Sequence, residues 1–208
     1  MIKHIVFDMG KVLLNYDGNK VCRHFIEDEA ERKAVSTAVF DSQEWVLLDM
    51  GVMPEETALK KMQARLETDH AKEMAAQCLM HWHEHNLWPI EGMEELVAEL
   101  KEKGYGIYLC SNASLRLLEC SHMIPGISSF DGVLFSAEVK CIKPQKEIYG
   151  HLFDRFNLKP EECFFIDDLL MNIEGARECG MDGYCFADGD VKKLKEVLSR
   201  LAERQPVL

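Results

Sequence analysis

Several short apolar runs in this chain stop at side chains able to do chemistry. Ile5-Val6-Phe7 runs into Asp8, Ile107-Tyr108-Leu109-Cys110 into Ser111-Asn112, and Cys163-Phe164-Phe165-Ile166 into Asp167-Asp168. Lys143-Pro144 follows a further run, Val133-Leu134-Phe135. Taken singly, these residues have a plain reading. Asp, Ser and Asn favour turns and helix caps because their short side chains bond nearby amides, and Pro144 could open a helix. Taken together, they describe a reaction. Converging carboxylates repel one another unless a cation lies among them, and hard oxygen ligands suit Mg²⁺. A Lys beside free backbone amides suits a phosphate. A carboxylate facing a metal-bound phosphoryl group can attack it, forming an acyl phosphate that water then hydrolyses.

Convergence needs a scaffold. Residues 3–7, 107–110, 133–135, 163–166 and 183–186 read as short buried strands. Between them, 91–103 places Met93, Leu96, Val97 and Leu100 at helical spacing before Gly104. Residues 171–179 stop at Gly180, and 191–202 carries Leu194, Val197, Leu198 and Leu201. Further helices are expected through Leu115, Leu117 and Leu118, and after Pro144 through Glu147 and Tyr149. Alternating strands and helices imply an α/β fold, a Rossmann-like doubly wound parallel sheet with helices on both faces. Ligands of such sheets bind at the carboxyl edge, where all these strand ends meet.

Residues 18–87 break the alternation: they show helix-like patterns and no strand. They read as a helical cap inserted into a core made of 1–17 and 88–208, with both linkers at the binding edge. The tail Gln205-Pro206-Val207-Leu208 is expected to fray.

Composition narrows the class. With 47% hydrophobic residues in 208, the chain can bury a core large enough to offset its conformational entropy. The excess of 36 acidic over 24 basic residues, a net charge of −12, disfavours nucleic acid and anionic membranes as partners. No apolar run approaches membrane-spanning length, and the first residues lack the apolar stretch of a signal peptide. The eight cysteines show no Cys-x-x-Cys spacing, so reduced thiols and a cytoplasmic location are expected.

At the residues that carry the chemistry, the sequence resembles the haloacid dehalogenase superfamily. Val6-Phe7-Asp8-Met9-Gly10-Lys11-Val12-Leu13 resembles its first motif, Leu109-Cys110-Ser111-Asn112 the second, and Lys143-Pro144 the third. Phe165-Ile166-Asp167-Asp168-Leu169-Leu170-Met171-Asn172-Ile173-Glu174-Gly175-Ala176 resembles the fourth, and the helical insert matches the position of the family's small C1 cap. The resemblance implies a Mg²⁺-dependent phosphomonoester hydrolase acting on a small phosphorylated metabolite. It makes Asp8 the nucleophile and assigns Mg²⁺ to Asp8, the Gly10 carbonyl and Asp168, with Asp167 a direct or water-mediated partner. Ser111 and the Asn112 amide would hold phosphate oxygens, Lys143 would neutralise charge on phosphate and nucleophile, and Asn172 would order the fourth loop.

One position departs from the pattern. Phosphatases of the family carry a second Asp two residues after the nucleophile as general acid and base, and here Gly10 stands there. Three readings follow. Substrates with good leaving groups need less help, and the sequence is similar to members acting on α-D-glucose 1-phosphate. Another group, Asp17 or a cap residue, takes over. Or the fold binds a phospho-ligand or a protein without turnover. A metal-independent 2-haloacid dehalogenase also lacks the second Asp, but Asp167-Asp168 would repel its carboxylate substrate.

Within the insert, His81 and His85 share a helix face, but without further ligands at zinc spacing they read as a polar helix end. Trp45, Trp82 and Trp88 read mainly as cap packing, a minority of them facing substrate. Asp49-Met50-Gly51-Val52 reads as the specificity loop, Gly51 permitting a tight turn. The chain is expected to be a monomer or a dimer.

Overall fold

The computed structural model describes residues 1–203, so the expectation for the tail at 205–208 lies outside the described residues. Strand β1 (His4–Phe7) leads through a tight turn into β2 (Leu14–Tyr16). Five helices follow: α1 (Lys20–Phe25), α2 (Glu29–Val39), α3 (Gln43–Asp49), α4 (Glu55–Gln63) and α5 (Asp69–His85). Strand β3 (Leu87–Pro89) then pairs antiparallel with β2. From there strands and helices alternate: α6 (Met93–Glu102), β4 (Gly106–Ser111), α7 (Leu117–Cys120), β5 (Gly132–Phe135) and α8 (Ser136–Val139). The series closes with α9 (Lys146–Phe156), β6 (Cys163–Asp167), α10 (Leu170–Glu178), β7 (Asp182–Cys185) and α11 (Val191–Glu203).

The main sheet has the order β5-β4-β1-β6-β7, and all its pairings are parallel. Side chains alternate across a strand, and β1 shows the consequence. Ile5 and Phe7 join an apolar cluster with Leu96, Leu100, Leu194 and Leu198 of α6 and α11. Val6 joins the opposite cluster, with Ile148, Leu152, Ile173 and Ala176 of α9 and α10. Both faces are covered, as a parallel sheet requires. Helix α6 buries Met93, Leu96, Val97 and Leu100, one stripe at i, i+3, i+4 and i+7. Each such burial contributes roughly 1.5–3 kcal/mol relative to exposure.

Register places the chemistry. Phe7 lies opposite Leu109 on one side and Ile166 on the other. Asp8, Cys110 and Asp167 therefore follow at one level on the carboxyl edge.

Two local expectations need correction. The helix sought through Leu115, Leu117 and Leu118 is a single turn, because Pro125 and Gly126 soon interrupt the chain, and Leu115 and Leu118 are exposed. The β2–β3 ribbon was not anticipated, since three-residue strands carry too little alternation to read.

The helices α1–α5 start on side-chain caps at three points: Asp28 accepts from Glu31 N at 2.7 Å, Ser42 from Trp45 N at 3.1 Å and Thr68 from Ala71 N at 3.0 Å. The turn between α3 and α4 touches the sheet domain directly. Gly51 sits at φ +71, and a Cβ there would meet the Ala137 carbonyl oxygen of α8 at 2.3 Å. Gly51→Ala therefore combines a left-handed conformation, about 1–2 kcal/mol by itself, with a backbone clash. A loss of about 2 kcal/mol or more is expected in denaturant titration. A variant as stable as its parent would show that the turn does not rest on α8.

Candidate active site

Asp8 lies buried at the end of β1, its amide donating to the Ile166 carbonyl at 2.8 Å. The chain then folds back sharply: the Met9 carbonyl accepts from Leu13 and Leu14 amides, both at 2.9 Å, and Lys11 takes the left-handed conformation at φ 56. The Gly10 carbonyl accepts no backbone hydrogen bond among the described residues. It is therefore open to a cation.

Lys143 is the centre of the charge arrangement. Its Nζ lies 2.7 Å from Asp8 Oδ1 and 2.7 Å from Asp167 Oδ2, with its side chain 1% exposed. The Asp8 contact is an ion pair without hydrogen-bond alignment, leaving Oδ1 buried and unsaturated in the directional sense. Burial pushes the Asp8 carboxyl up to about 6, opposed by Lys143 and aided by Asp167. Burial alone would lower Lys143, but the Asp8 and Asp167 charges outweigh it and hold the ammonium above its usual range.

The neighbouring loops hold this Lys in place. Asn112 grips its backbone twice, donating Nδ2 to the Lys143 carbonyl at 3.1 Å and accepting the Lys143 amide at 2.7 Å. Asp167 is saturated: Oδ1 accepts from the Leu169 amide and Asn172 Nδ2 at 2.9 Å each, and Oδ2 accepts from Lys143. Asn172 is fixed in turn, its carbonyl accepting the Tyr149 hydroxyl at 2.6 Å. Gly175 lets α10 lie against this turn, since a Cβ there would meet Pro144 at 2.8 Å.

Asp168 differs from Asp167. It is half-buried, its carboxylate forms no side-chain hydrogen bond or ion pair among the described residues, and burial followed by the Asp167 charge raises its pKa. Ligand oxygens of Asp8, Asp167 and Asp168 lie within 4.8 Å of one another. Three carboxylates against one buried ammonium leave an excess of two negative charges when ionised. That excess and the all-oxygen donor set fit a divalent hard cation such as Mg²⁺. Asp8, Asp168 and the Gly10 carbonyl have free oxygens for direct contact, whereas the saturated Asp167 fits an indirect role.

A cavity of about 200 Å³ opens above these residues, lined by Asp8, Gly10, Ser111, Asn112 and Asp168 from the sheet edge. Trp45, Asp49 and Trp82 close it from the helical insert, with Lys11 and Tyr16 at the linker. Of the three tryptophans, Trp45 and Trp82 face the cavity and meet edge to face at 5.1 Å. Trp88 instead lies under the Lys20 ammonium, 3.1 Å from its ring centre.

Asp17, His81 and His85, each weighed in the sequence, lie outside the cavity lining. Asp17 is tied to Arg23 at 2.5 Å and to the Asn19 amide at 2.9 Å. Partial burial pushes its carboxyl up, but these partners outweigh it and hold it below the usual range. It is not a substitute acid at this site. His81 is engaged by Glu84 at 3.0 Å, and His85 stacks on His24 at 4.2 Å. Lys11 and Tyr16 were missed as lining residues: a left-handed Lys leaves no sequence signal, and Tyr16 sits on the unanticipated ribbon.

Asp49 ends α3 facing the cavity. Burial pushes its carboxyl up to about 7, opposed by a hydrogen bond from the Ser114 amide. Between its ordinary value of 3.8 and about 7, the native state keeps a proton that the unfolded chain has lost. Stability therefore falls as pH rises through that window. The full shift corresponds to about 4 kcal/mol, and partial exposure roughly halves it. Asp49→Asn should gain about 2 kcal/mol on the parent between pH 4 and pH 8 in metal-free denaturant titrations. A difference constant across pH would contradict the buried, protonated Asp49.

A doubly wound parallel sheet with an acid cluster, a buried Lys and a Ser/Asn pair at its carboxyl edge defines an α/β hydrolytic fold with a helical insert. The chain belongs to the haloacid dehalogenase-like hydrolase family, whose profile matches residues 2–180. It is 25% identical over 193 residues to the sesquiterpene phosphatase astK of Aspergillus oryzae, covering 89% of this chain and 90% of that protein. It is 26% identical over 201 residues to a D-ribitol-5-phosphate phosphatase of Bacteroides thetaiotaomicron, covering 88% and 91%. Among solved structures it resembles a HAD family enzyme of B. thetaiotaomicron in complex with magnesium and inorganic phosphate. That likeness has a TM-score of 0.67 at 22% identity, over 88% of this chain and 93% of the other, and it bears on fold alone.

Proposed function

We propose that the chain is a Mg²⁺-dependent phosphomonoester hydrolase that passes the phosphoryl group through Asp8. The observation that carries this reading is the placement of Asp8: it forms the floor of the cavity, with Lys143 fixed 2.7 Å away and the uncommitted Asp168 beside it. Asp8 attacks phosphorus, and water later releases phosphate from the aspartyl phosphate. Lys143 keeps the nucleophile ionised despite burial and balances charge on the transferring oxygens. Ser111 and the Asn112 amide hold those oxygens, while the Asn112 side chain keeps the Lys143 loop at the right distance. Asp8, Asp168 and the Gly10 carbonyl would hold Mg²⁺, with Asp167 behind them. The cation would supply electrostatic stabilisation of charge on the phosphoryl oxygens. Phosphatase activity in the two relatives named above supports the reading, and the carboxylate trio disfavours a metal-free site for haloacids.

We read 18–87 as a cap on a core of 1–17 and 88–208. With the cap docked, the cavity offers about 200 Å³ of space beside Asp8 and Asp168. That is room for a phosphate with a few carbons. A small phosphorylated metabolite, such as a short sugar or polyol phosphate, is the substrate class that fits. The eight cysteines are all unpaired, which suits a reducing, cytoplasmic setting, and no described helix is long and apolar enough to cross a membrane.

The test is a panel of sugar 1-phosphates, terminal sugar and polyol phosphates, and bulky isoprenoid or flavin phosphates, with Mg²⁺. Small esters should be turned over in preference to bulky ones. Chelation or Asp8→Asn should reduce turnover by about 10⁴-fold or more. Undiminished turnover by Asp8→Asn, or none by the parent chain, would contradict the proposal.

A further inference from the structure

The reaction above needs a proton for the leaving oxygen, and none of its assigned residues supplies one. Gly10 has no side chain, and Lys143 is locked between two carboxylates. Asp17 is bound to Arg23 outside the cavity. The titratable groups facing the cavity are Asp8 at the end of β1, Lys11 in the turn, Tyr16 on β2, Asp49 on α3 and Asp168 after β6. Asp8 and Asp168 are committed to nucleophile and cation, and the Lys11 charge acts on Asp168. The Tyr16 hydroxyl is driven well above its ordinary range by burial and then by the charges of Asp49 and Asp41. It is too weak an acid to serve near neutrality.

We propose that Asp49, delivered by the helical cap, is the general acid and base of this site, a role that rests on the phosphatase reading. Its position is built. The Ser136 hydroxyl of α8 donates to the Asp49 carbonyl at 2.5 Å and accepts the Ala113 amide at 2.8 Å. Ala113 directly follows the phosphate-holding pair Ser111-Asn112, so one hydroxyl ties the backbone of Asp49 to that loop. Gly51, two residues on, lets the turn approach α8 more closely than any side chain would allow. Across the top, Arg116 pairs with Glu55 of α4 and donates to the Met80 carbonyl of α5 at 3.3 Å. These ties all cross from the insert to the sheet domain, so they hold Asp49 over the cavity only when the cap is docked. Its carboxyl, at about 7, exchanges protons near neutrality.

The step balances. Asp8 forms its bond to phosphorus as the bond to the leaving oxygen breaks, and that oxygen takes the Asp49 proton, giving a neutral alcohol and the Asp49 carboxylate. Water then attacks the aspartyl phosphate and gives its proton to Asp49. The Asp8–phosphorus bond breaks, phosphate departs, and both carboxyl groups regain their starting states. The space left at Gly10 is thus filled functionally from the cap.

A general acid matters in proportion to how poor the leaving group is. The test compares Asp49→Asn with the parent on an alkyl phosphate and on p-nitrophenyl phosphate, following single-turnover release of the leaving group with Mg²⁺. Release of alcohol should fall about 10²–10⁴-fold. Release of p-nitrophenolate, which needs no protonation, should stay within about tenfold of the parent. A second variant guards against a folding artefact. A Cβ at Gly10 meets nothing within 4 Å, so Gly10→Asp in the Asp49→Asn background should restore alkyl phosphate cleavage by at least about tenfold. Equal losses on both esters, or no loss on either, would overturn the role of Asp49 and leave the phosphatase reading standing. Failure of the parent to release either leaving group would overturn both.

Discussion

The ammonium of Lys143, buried between Asp8 and Asp167, is the contact on which the rest of this molecule is organised. A cation so placed is tolerable only with both carboxylates present, and its charge opposes the burial that pushes the Asp8 carboxyl up. The surrounding structure serves to hold that arrangement. Asn112 fixes the Lys143 backbone from β4, Asn172 and the Leu169 amide fix Asp167 from α10, and Tyr149 fixes Asn172 from α9. Four separate segments thus meet through hydrogen bonds at one sheet edge. The result is a carboxylate at Asp8, the proposed nucleophile, whose position is set before substrate arrives.

The second constraint is the approach of the helical insert. Trp45 and Trp82 of the insert wall one side of the cavity, and their rings replace water there, which strengthens electrostatic interactions beside them. Seating depends on a residue without a side chain at Gly51 and on the Ser136 hydroxyl, which bonds the insert at Asp49 and the loop after β4 at Ala113 at once. Gly10 and Asp49 are connected by the same logic. Gly10 leaves open space on the floor of the cavity, and Asp49 of the insert lines the same cavity.

The sheet was legible because β1, β4 and β6 are contiguous apolar runs ending in polar residues, a pattern that only buried parallel strands need. The acid cluster was legible for the same reason, since register carries Asp8 and Asp167 to one level. The β2–β3 ribbon escaped because three-residue strands carry no period, and with it went Tyr16. The helix through Leu117 shrank to a turn because Pro125 and Gly126 outweigh three leucines. Asp49 was visible only as part of a loop that could set specificity. Its place in the same cavity lining as Gly10 depends on how two parts of the chain, separated by the whole first half of the insert, come together.

The central claim is that Asp8 carries the phosphoryl group during turnover. Acid-quenching the enzyme during hydrolysis of a small phosphomonoester, followed by peptide mapping, tests it most directly. The account predicts one phosphoryl group on the peptide containing Asp8, absent from Asp8→Asn and released by hydroxylamine. Steady hydrolysis with a phosphoryl group on no residue, or on a residue other than Asp8, would contradict it.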